Sequence, residues 1–191
     1  MTALSSVLVF AHQLLINTVQ PGEAAIDATM GNGHDTLVLA QCTTEKGRVY
    51  AFDIQERALE KTRKRLQAAA QANHVQLIAD GHQHISHHVR ETVAAVIFNL
   101  GYLPGGNKAL TTQWDTSLAA IEQSLALLRQ HGLLLLVLYP GHEPGKAEQE
   151  AIEAFVAKLD QQEFQVLRYQ FINQKNNPPY LLAIEKLSAV K

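Results

Sequence analysis

The chain has 191 residues, of which 47% are hydrophobic and 18% charged, and its formal net charge is −2. This balance predicts one globular domain over 1–191. No apolar run reaches the roughly 18 residues of a membrane span, and the start lacks the basic residues of a signal peptide, so we expect a cytoplasmic protein with no membrane partner. Cys42 is the only cysteine, which excludes an intrachain disulfide and a zinc site of several thiolates.

Apolar periodicity and turn residues divide the chain into helices and strands. Apolar residues at helical spacing predict helices, and short apolar runs bounded by turn residues predict strands. In chain order the patterns predict a helix over 4–19, a strand over 24–27, a helix over 34–41, a strand over 48–53, a helix over 55–73, strands over 75–79 and 93–99, a helix over 116–131, a strand over 133–138, a helix over 146–159, and strands over 164–172 and 180–184.

This order of elements predicts the fold class. Strands that alternate with helices are typical of a parallel α/β sheet, and the near-continuous apolar strands indicate burial on both faces. Only the linker 173–179 separates the last two strands, which favours a hairpin. Five parallel strands followed by a C-terminal β-hairpin, with helices on both faces, form the seven-stranded, mostly parallel sheet of a Rossmann-like class I methyltransferase.

Polar or glycine-rich residues follow four of the predicted strands. They lie at 27–36, 53–55, 80–83 and 99–102. In an open α/β sheet, ligands bind beyond the carboxyl ends of the strands, where the strand order reverses. Turn chemistry alone could explain one such segment, but four in the correct order favour a ligand site.

The first of these segments predicts a close approach of the backbone to a ligand. Gly31 and Gly33 carry no Cβ, so the chain can turn tightly there. Asp27 ends the first strand, where its carboxylate can hold the loop or face an ammonium group of the ligand. Asp53 follows about 20 residues later and can accept ribose hydroxyls.

The acids of this loop distinguish between two cofactors. A dinucleotide site favours Gly-x-Gly-x-x-Gly with a pyrophosphate at the helix start, but here the third position is Thr36. Asp35 stands beside that helix start, where its charge would repel a pyrophosphate. S-adenosylmethionine has no phosphate and carries positive charge, so Asp27 and Asp35 favour it over NAD.

The third strand end completes the predicted cofactor site, because Asp80 and His82 lie where an adenine is expected. The predicted cofactor-binding residues are Asp27, Thr29, Gly31, Asn32, Gly33, Asp35, Thr36, Asp53, Gln55, Asp80 and His82.

At these residues the chain resembles the YtqB/MnmM-like family of class I S-adenosylmethionine-dependent methyltransferases, whose members carry the label of rRNA methylases. The resemblance covers essentially the whole chain. Its most specific segments are 27–36, 99–108, 139–142 and 173–180. Only the first would indicate a class of protein by itself.

The resemblance implies an enzyme of tRNA modification. Members of the family methylate the amine of 5-aminomethyl-(2-thio)uridine at the wobble position, giving 5-methylaminomethyl-(2-thio)uridine. The implied partner is therefore tRNA, at its anticodon region. The net charge of −2 argues against tight non-specific binding of nucleic acid, although not against a local basic patch. The sequence does not give the oligomeric state, and a homodimer stays open.

The acceptor side is predicted at the fourth strand end. An amine must be neutral to accept a methyl group, and hydrogen bonds to its N–H groups can favour that form. Asn99 Oδ1 can accept from the amine, and Tyr102 can supply an aromatic wall or an acceptor hydroxyl, so both are predicted to be catalytic. Amino-methyltransferases often carry Asn/Asp-Pro-Pro-Tyr here, and this chain departs from that pattern.

Further residues are predicted to contact the substrate. An Asn-Pro-Pro-Tyr sequence does occur at 177–180, but between the last two strands, where turn chemistry also explains it. The glycine-rich segment 103–108 is long enough for a lid or an RNA-contacting loop. The predicted substrate-binding residues are Lys108, Tyr139, His142, Asn177 and Tyr180.

Two side-chain clusters have simpler interpretations. His82, His84, His87 and His88 could suggest a metal site, but no acidic partner is evident beside them and methyl transfer of this type needs no metal, so none is predicted. The basic run over 57–65 is interpreted as a solvated helix face.

Three other functions stay open. The same fold could methylate rRNA, a small molecule or a protein. A binding module could have kept the pocket, although both the cofactor loop and the acceptor loop look intact. An NAD-linked oxidoreductase is the third alternative.

Overall fold

The computed structural model describes residues 3–100, 114–140 and 143–187. Its helices are α1 (Val7–Thr18), α2 (His34–Thr43), α3 (Glu56–Ala68), α4 (Ile85–His88), α5 (Trp114–Leu127) and α6 (Glu143–Val156). Its strands are β1 (Ala24–Asp27), β2 (Arg48–Phe52), β3 (Val75–Ile78), β4 (Val93–Leu100), β5 (Leu128–Leu138), β6 (Phe164–Tyr169) and β7 (Tyr180–Lys186). None of the described helices is both long and apolar enough to cross a membrane.

The seven strands form one sheet in the order β3-β2-β1-β4-β5-β7-β6. Strands β1 to β5 pair in parallel, whereas β7 pairs antiparallel with both β5 and β6. The predicted mostly parallel sheet with a C-terminal hairpin is therefore confirmed. The strand order reverses at β1, which lies between β2 and β4, so the carboxyl ends of β1 and β4 border the crevice where this class of sheet binds ligands.

Alternate residues of the central strands face opposite sides of the sheet. Ile26 packs on the side covered by α4, α5 and α6, which supply Ile85, Ile121 and Ile152. Ala25 packs on the side covered by α1, α2 and α3. Both sides are apolar because crossover helices cover a parallel sheet on both faces.

Helix α1 is held by the far end of the chain. The ring of Phe10 stacks on that of Tyr169 in β6, with 4.3 Å between their centroids. The Tyr169 hydroxyl donates to the Ser5 carbonyl oxygen at 2.7 Å. The residues just before and within α1 therefore keep their place through the last hairpin.

Several predicted bounds differ from the structure: the helix predicted over 55–73 ends at Ala68, and the strand predicted over 164–172 ends at Tyr169. The helix predicted over 116–131 ends at Leu127, because Leu128 already pairs with Val93 of β4 and His131 has a φ of +57°. The short helix α4 and the 3₁₀ turn before it, His82–His84, were not predicted. They lie in a histidine-rich stretch with little apolar periodicity.

Candidate active site

Asp27 anchors the glycine loop between β1 and α2. Its side chain is fully buried. One carboxylate oxygen accepts from the Thr29 backbone N–H at 3.1 Å, and the other accepts from the Thr36 hydroxyl at 2.6 Å. Of the two roles that the sequence allows for Asp27, the structure shows the one that holds the loop.

The hydrogen bonds to Asp27 do not fully compensate the burial of its charge and the neighbouring carboxylates. Burial, with the Asp35 carboxylate nearby, raises the pKa of Asp27 from 3.8 to about 7. The charge of Asp53 acts in the same direction. Three carboxyl groups therefore surround this loop, which suits a cationic ligand and disfavours a pyrophosphate.

Gly31 and Gly33 both adopt left-handed backbone conformations, with φ of +49° and +75°. A Cβ on Gly33 would lie 2.7 Å from Thr62 Oγ1 and 2.9 Å from Thr62 Cα, so α3 leaves no room for a side chain there. The Gly33 N–H donates to the Met30 carbonyl at 2.7 Å and closes the turn. The loop therefore needs glycine at Gly33 for both its conformation and its packing.

We expect Gly33→Ala to lower the free energy of unfolding by about 3 kcal/mol or more, since left-handed strain of ~1–2 kcal/mol adds to a collision with Thr62. Gly22→Ala is the matched control. Gly22 also has a left-handed φ, of +94°, but the nearest atom to its Cβ would be 3.9 Å away. Urea denaturation of both variants measures the difference, and equal losses would contradict a steric role for Thr62.

Asp53 links the end of β2 to the glycine loop. One of its carboxylate oxygens accepts from the Gly31 N–H at 3.0 Å, and the other accepts from the Gln55 backbone N–H at 2.9 Å. Burial raises the pKa of Asp53. A carboxylate offers about four acceptor positions, so Asp53 keeps capacity for a hydroxyl donor.

Helix α3 holds the other side of the loop. Lys61 Nζ donates to Asn32 Oδ1 at 3.0 Å, and Arg65 Nε donates to the Asn32 carbonyl at 2.8 Å. The interpretation of 57–65 as a solvated face is therefore wrong for these two residues. The sequence signal for this contact was that Lys61 and Arg65, four residues apart, share one helix face. Their common partner, Asn32, lies about 30 residues away in the sequence.

His82 brings a polar atom into the interior beside the third strand end. It is 8% exposed, its ring lies edge-on to Phe98 at 5.7 Å, and burial lowers its pKa to about 4. Its Nε2 is buried and has no hydrogen-bond partner among the described residues. A neutral histidine with one unmatched ring nitrogen fits a ligand that carries its own polar groups, such as an adenine.

Asp80 is committed to two neighbouring histidines. His84 Nδ1 lies 2.9 Å from one carboxylate oxygen and His88 Nε2 lies 2.8 Å from the other. These contacts lower the pKa of Asp80 to about 2. The expectation that the histidines lack an acidic partner is therefore wrong, because Asp80 fills that place from four residues before His84.

The predicted acceptor residue Asn99 lies in a cluster of polar side chains at the end of β4. Its backbone N–H donates to Thr29 Oγ1 at 2.7 Å, and its Nδ2 donates to Asp35 Oδ2 at 3.3 Å. Tyr139, just beyond β5, forms a hydrogen bond with the Asn99 side chain, and burial and the Asp35 charge raise the pKa of Tyr139. The structure thus joins residues that the sequence assigned separately to the cofactor, the reaction and the substrate.

A fifth member of this cluster, His12, was missed by the sequence analysis. It lies on α1, and its Nε2 is 2.6 Å from Asp35 Oδ1. Its side chain is 28% exposed, against 10% for Asp35. The only signal in the sequence was a histidine within a mainly apolar helix.

The other predicted substrate contacts are placed less favourably. Tyr102, Lys108 and His142 lie outside the described residues. Tyr180 is fully buried and its hydroxyl donates to Glu153 of α6, which indicates a packing role in the described structure. Asn177 is exposed in the hairpin linker and has a φ of +48°, as expected for asparagine in a tight turn.

The hairpin linker nevertheless lies at the site edge of the sheet. Leu100 pairs with Leu138, and Leu138 pairs with Tyr180. Strand β7 therefore begins where β4 and β5 end. The linker that precedes β7 is therefore close to these strand ends, and a role for Asn177 in substrate binding stays a prediction.

Comparison with protein families places the chain among methyltransferases. Residues 49–185 match the family model described as "Putative rRNA methylase". Residues 2–89 also match the model of protein-L-isoaspartate(D-aspartate) O-methyltransferase. A relative from Arabidopsis thaliana, named tRNA (mnm(5)s(2)U34)-methyltransferase, chloroplastic, is 38% identical over an alignment of 178 residues, and the match covers 88% of this chain. The chain spans only 65% of that plant protein.

Two solved structures resemble the chain over nearly its whole length. A "putative rRNA-methylase" from Clostridium thermocellum has a TM-score of 0.95 and 39% identity, and the match covers 97% of this chain and 100% of the other. A "putative methyltransferase" from Streptococcus mutans, in complex with SAH, has a TM-score of 0.88 and 43% identity, with 96% and 99% of the two chains covered.

Proposed function

The chain belongs to the rRNA methylase family, and from this membership we propose that it uses S-adenosylmethionine to methylate the amine of 5-aminomethyl-(2-thio)uridine at the wobble position of tRNA. The observation that carries the proposal is the polar cluster at the end of β4, next to a loop surrounded by carboxylates. The plant relative that is 38% identical carries a tRNA wobble-uridine activity in its name, which favours the same substrate class for this chain.

The residues at the strand ends fit the proposed cofactor. Asp53 has capacity for ribose hydroxyls, His82 has an unmatched buried nitrogen for the adenine side, and Asp27 and Asp35 supply negative charge near the loop. S-adenosylmethionine supplies an activated methyl group on a positively charged sulfonium. The SAH bound to the 43% identical Streptococcus mutans protein supports this choice.

On the acceptor side, Asn99 Oδ1 accepts a hydrogen bond from the neutral amine and directs its lone pair. Tyr139 borders the same position and limits access of water. Because the methyl group is already activated, this positioning is the main contribution that the protein needs to make.

Binding of S-adenosylmethionine is expected to expel a proton from Asp27. Because its pKa is raised, Asp27 keeps its proton in the folded, ligand-free protein between pH ~4 and ~7, where the unfolded chain has lost it. The free energy of unfolding therefore falls as the pH rises through this range. A cationic ligand favours the ionised carboxylate. Calorimetry at pH ~6.5 in buffers of different ionisation enthalpy should show proton release, which should vanish at pH ~8.5 and in Asp27→Asn.

If the wild type binds the ligand at the lower pH without releasing a proton, Asp27 does not respond to its charge. Asp27→Asn keeps an oxygen that can accept from the Thr29 N–H. Its melting temperature, measured alongside, shows whether the variant is folded. A folded variant that still releases the proton would assign the release to another group.

The substrate is tested by transfer of labelled methyl from S-adenosylmethionine to purified RNAs. tRNA carrying 5-aminomethyl-2-thiouridine should accept the label, and nucleoside analysis should identify the methylamino product. Because the family description names rRNA, ribosomal RNA is the necessary comparison, with the same tRNA lacking the aminomethyl group as a control. Label in rRNA alone would overturn the tRNA assignment and leave the methyltransferase assignment standing.

The proposed partner is the anticodon region of tRNA, and the proposed location is the cytoplasm. The plant relative is named as chloroplastic. A small-molecule or protein acceptor is the second candidate, because the net charge of −2 does not by itself favour RNA.

A further inference from the structure

The contacts of Asn99 determine which way its amide group faces. Its Nδ2 donates to Asp35 Oδ2 at 3.3 Å. This contact uses the amide N–H side, so Oδ1 faces away from Asp35.

This orientation depends on where the Asp35 carboxylate lies. Asp35 is in the first turn of α2 and is only 7% exposed. Its other oxygen, Oδ1, is 2.6 Å from His12 Nε2, which is a short hydrogen bond. The two carboxylate oxygens of Asp35 thus connect α1 on one side with the end of β4 on the other.

We infer that His12 is a positioning residue for the acceptor amine: by holding Asp35, it fixes the Asn99 amide with Oδ1 towards the amine. This inference rests on the proposed function for the identity of the acceptor. It assigns a role in the reaction to the first helix, which in this sheet lies before the cofactor loop. The chain Tyr139–Asn99–Asp35–His12 runs from the acceptor side to a partly exposed imidazole.

The kinetic test compares His12→Ala with His12→Gln. We expect His12→Ala to lower kcat on aminomethyl-tRNA by about tenfold or more, because a small displacement of a positioning group costs this much, with a smaller change in KM. Glutamine can donate from Nε2 to Asp35, so His12→Gln should regain most of the rate. The dissociation constant of S-adenosylmethionine, measured for each variant, should change less than kcat.

The matched control is His131→Asn. His131 also pairs with an acid, since its Nδ1 is 3.0 Å from Glu185 Oε1, but it lies near the amino end of β5, away from the site. Asparagine tolerates the left-handed φ of His131. This variant should leave kcat unchanged.

A second readout does not depend on activity. The side-chain amide of Asn99 gives a proton–nitrogen NMR signal that can be assigned by its loss in Asn99→Asp. With SAH bound, this signal should shift in His12→Ala and return in His12→Gln. If the wild type fails to methylate tRNA, the proposed function falls, but this spectrum still decides the role of His12.

Two results would overturn the inference. The first is a His12→Ala protein whose kcat and Asn99 signal both match the wild type. The second is a His12→Gln protein as slow as His12→Ala despite a restored Asn99 signal, which would assign His12 to proton transfer and not to positioning.

Discussion

Replacing Asp53 by alanine is expected to weaken the binding of S-adenosylmethionine by about 100-fold, because hydrogen bonds to a charged group are worth about 1.5–3 kcal/mol each. The variant loses the acceptor for ribose hydroxyls. It also releases the Gly31 N–H, which Asp53 holds at 3.0 Å, so the glycine loop loses its link to β2. Calorimetric titration with S-adenosylmethionine and with SAH measures the loss.

Asp160→Ala is the matched control for this prediction. Asp160 Oδ1 accepts from the Gln162 backbone N–H at 2.9 Å, the same i, i+2 pattern that joins Asp53 to Gln55. It is exposed in the turn before β6 and should leave cofactor binding unchanged. An Asp53→Ala protein that binds both ligands as tightly as the wild type would exclude Asp53 from the cofactor site.

Replacing Asn99 by alanine should lower kcat by about 100-fold while cofactor binding changes little, because a misplaced acceptor loses the geometry of an in-line transfer. The backbone N–H of Asn99 still donates to Thr29, so the end of β4 should keep its place. Single-turnover transfer to aminomethyl-tRNA, started from the preformed cofactor complex, isolates this step.

Asn17→Ala, on the exposed side of α1, serves as the control for an asparagine outside the site. If Asn99→Ala raises KM for the cofactor as much as it lowers kcat, then Asn99 belongs to the cofactor site, and the acceptor must be positioned by other residues.

The sheet could be predicted because its signals are local. The run over β4 is apolar except for Asn99, contains the β-branched Val93, Val96 and Ile97, and is almost entirely buried. The junction of α5 and β5 was harder to predict, since Leu128 suits a helix or a strand. Leu128 is in a strand because it pairs with Val93 of β4. A short window of sequence around Leu128 does not show this pairing. A single domain over 1–191 stays a prediction.

The cofactor side of the site was largely predictable from one rule, that ligands lie at the carboxyl ends of the strands. Asp27, Gly33 and Asp53 all lie there in the structure, and their roles towards the cofactor stay predictions. The links between elements were not predictable in the same way. His12 is 23 residues from Asp35, and neither residue carries a local pattern that selects the other.

The contacts that hold α1 also bear on when the site is completed during synthesis. The hydrogen bond from Tyr169 to Ser5 joins residues 164 positions apart. Helix α1 therefore leaves the ribosome early, whereas β6, which holds it, emerges near the end of synthesis. Contacts of such long sequence separation slow folding, because the intervening chain must first be ordered. A nascent chain that already contains α1 and the glycine loop therefore still lacks the Tyr169 contacts that hold α1, the helix that carries His12. The predicted cofactor residues, the last of which is His82, are all synthesised before Tyr169, on which the placement of α1 and His12 depends.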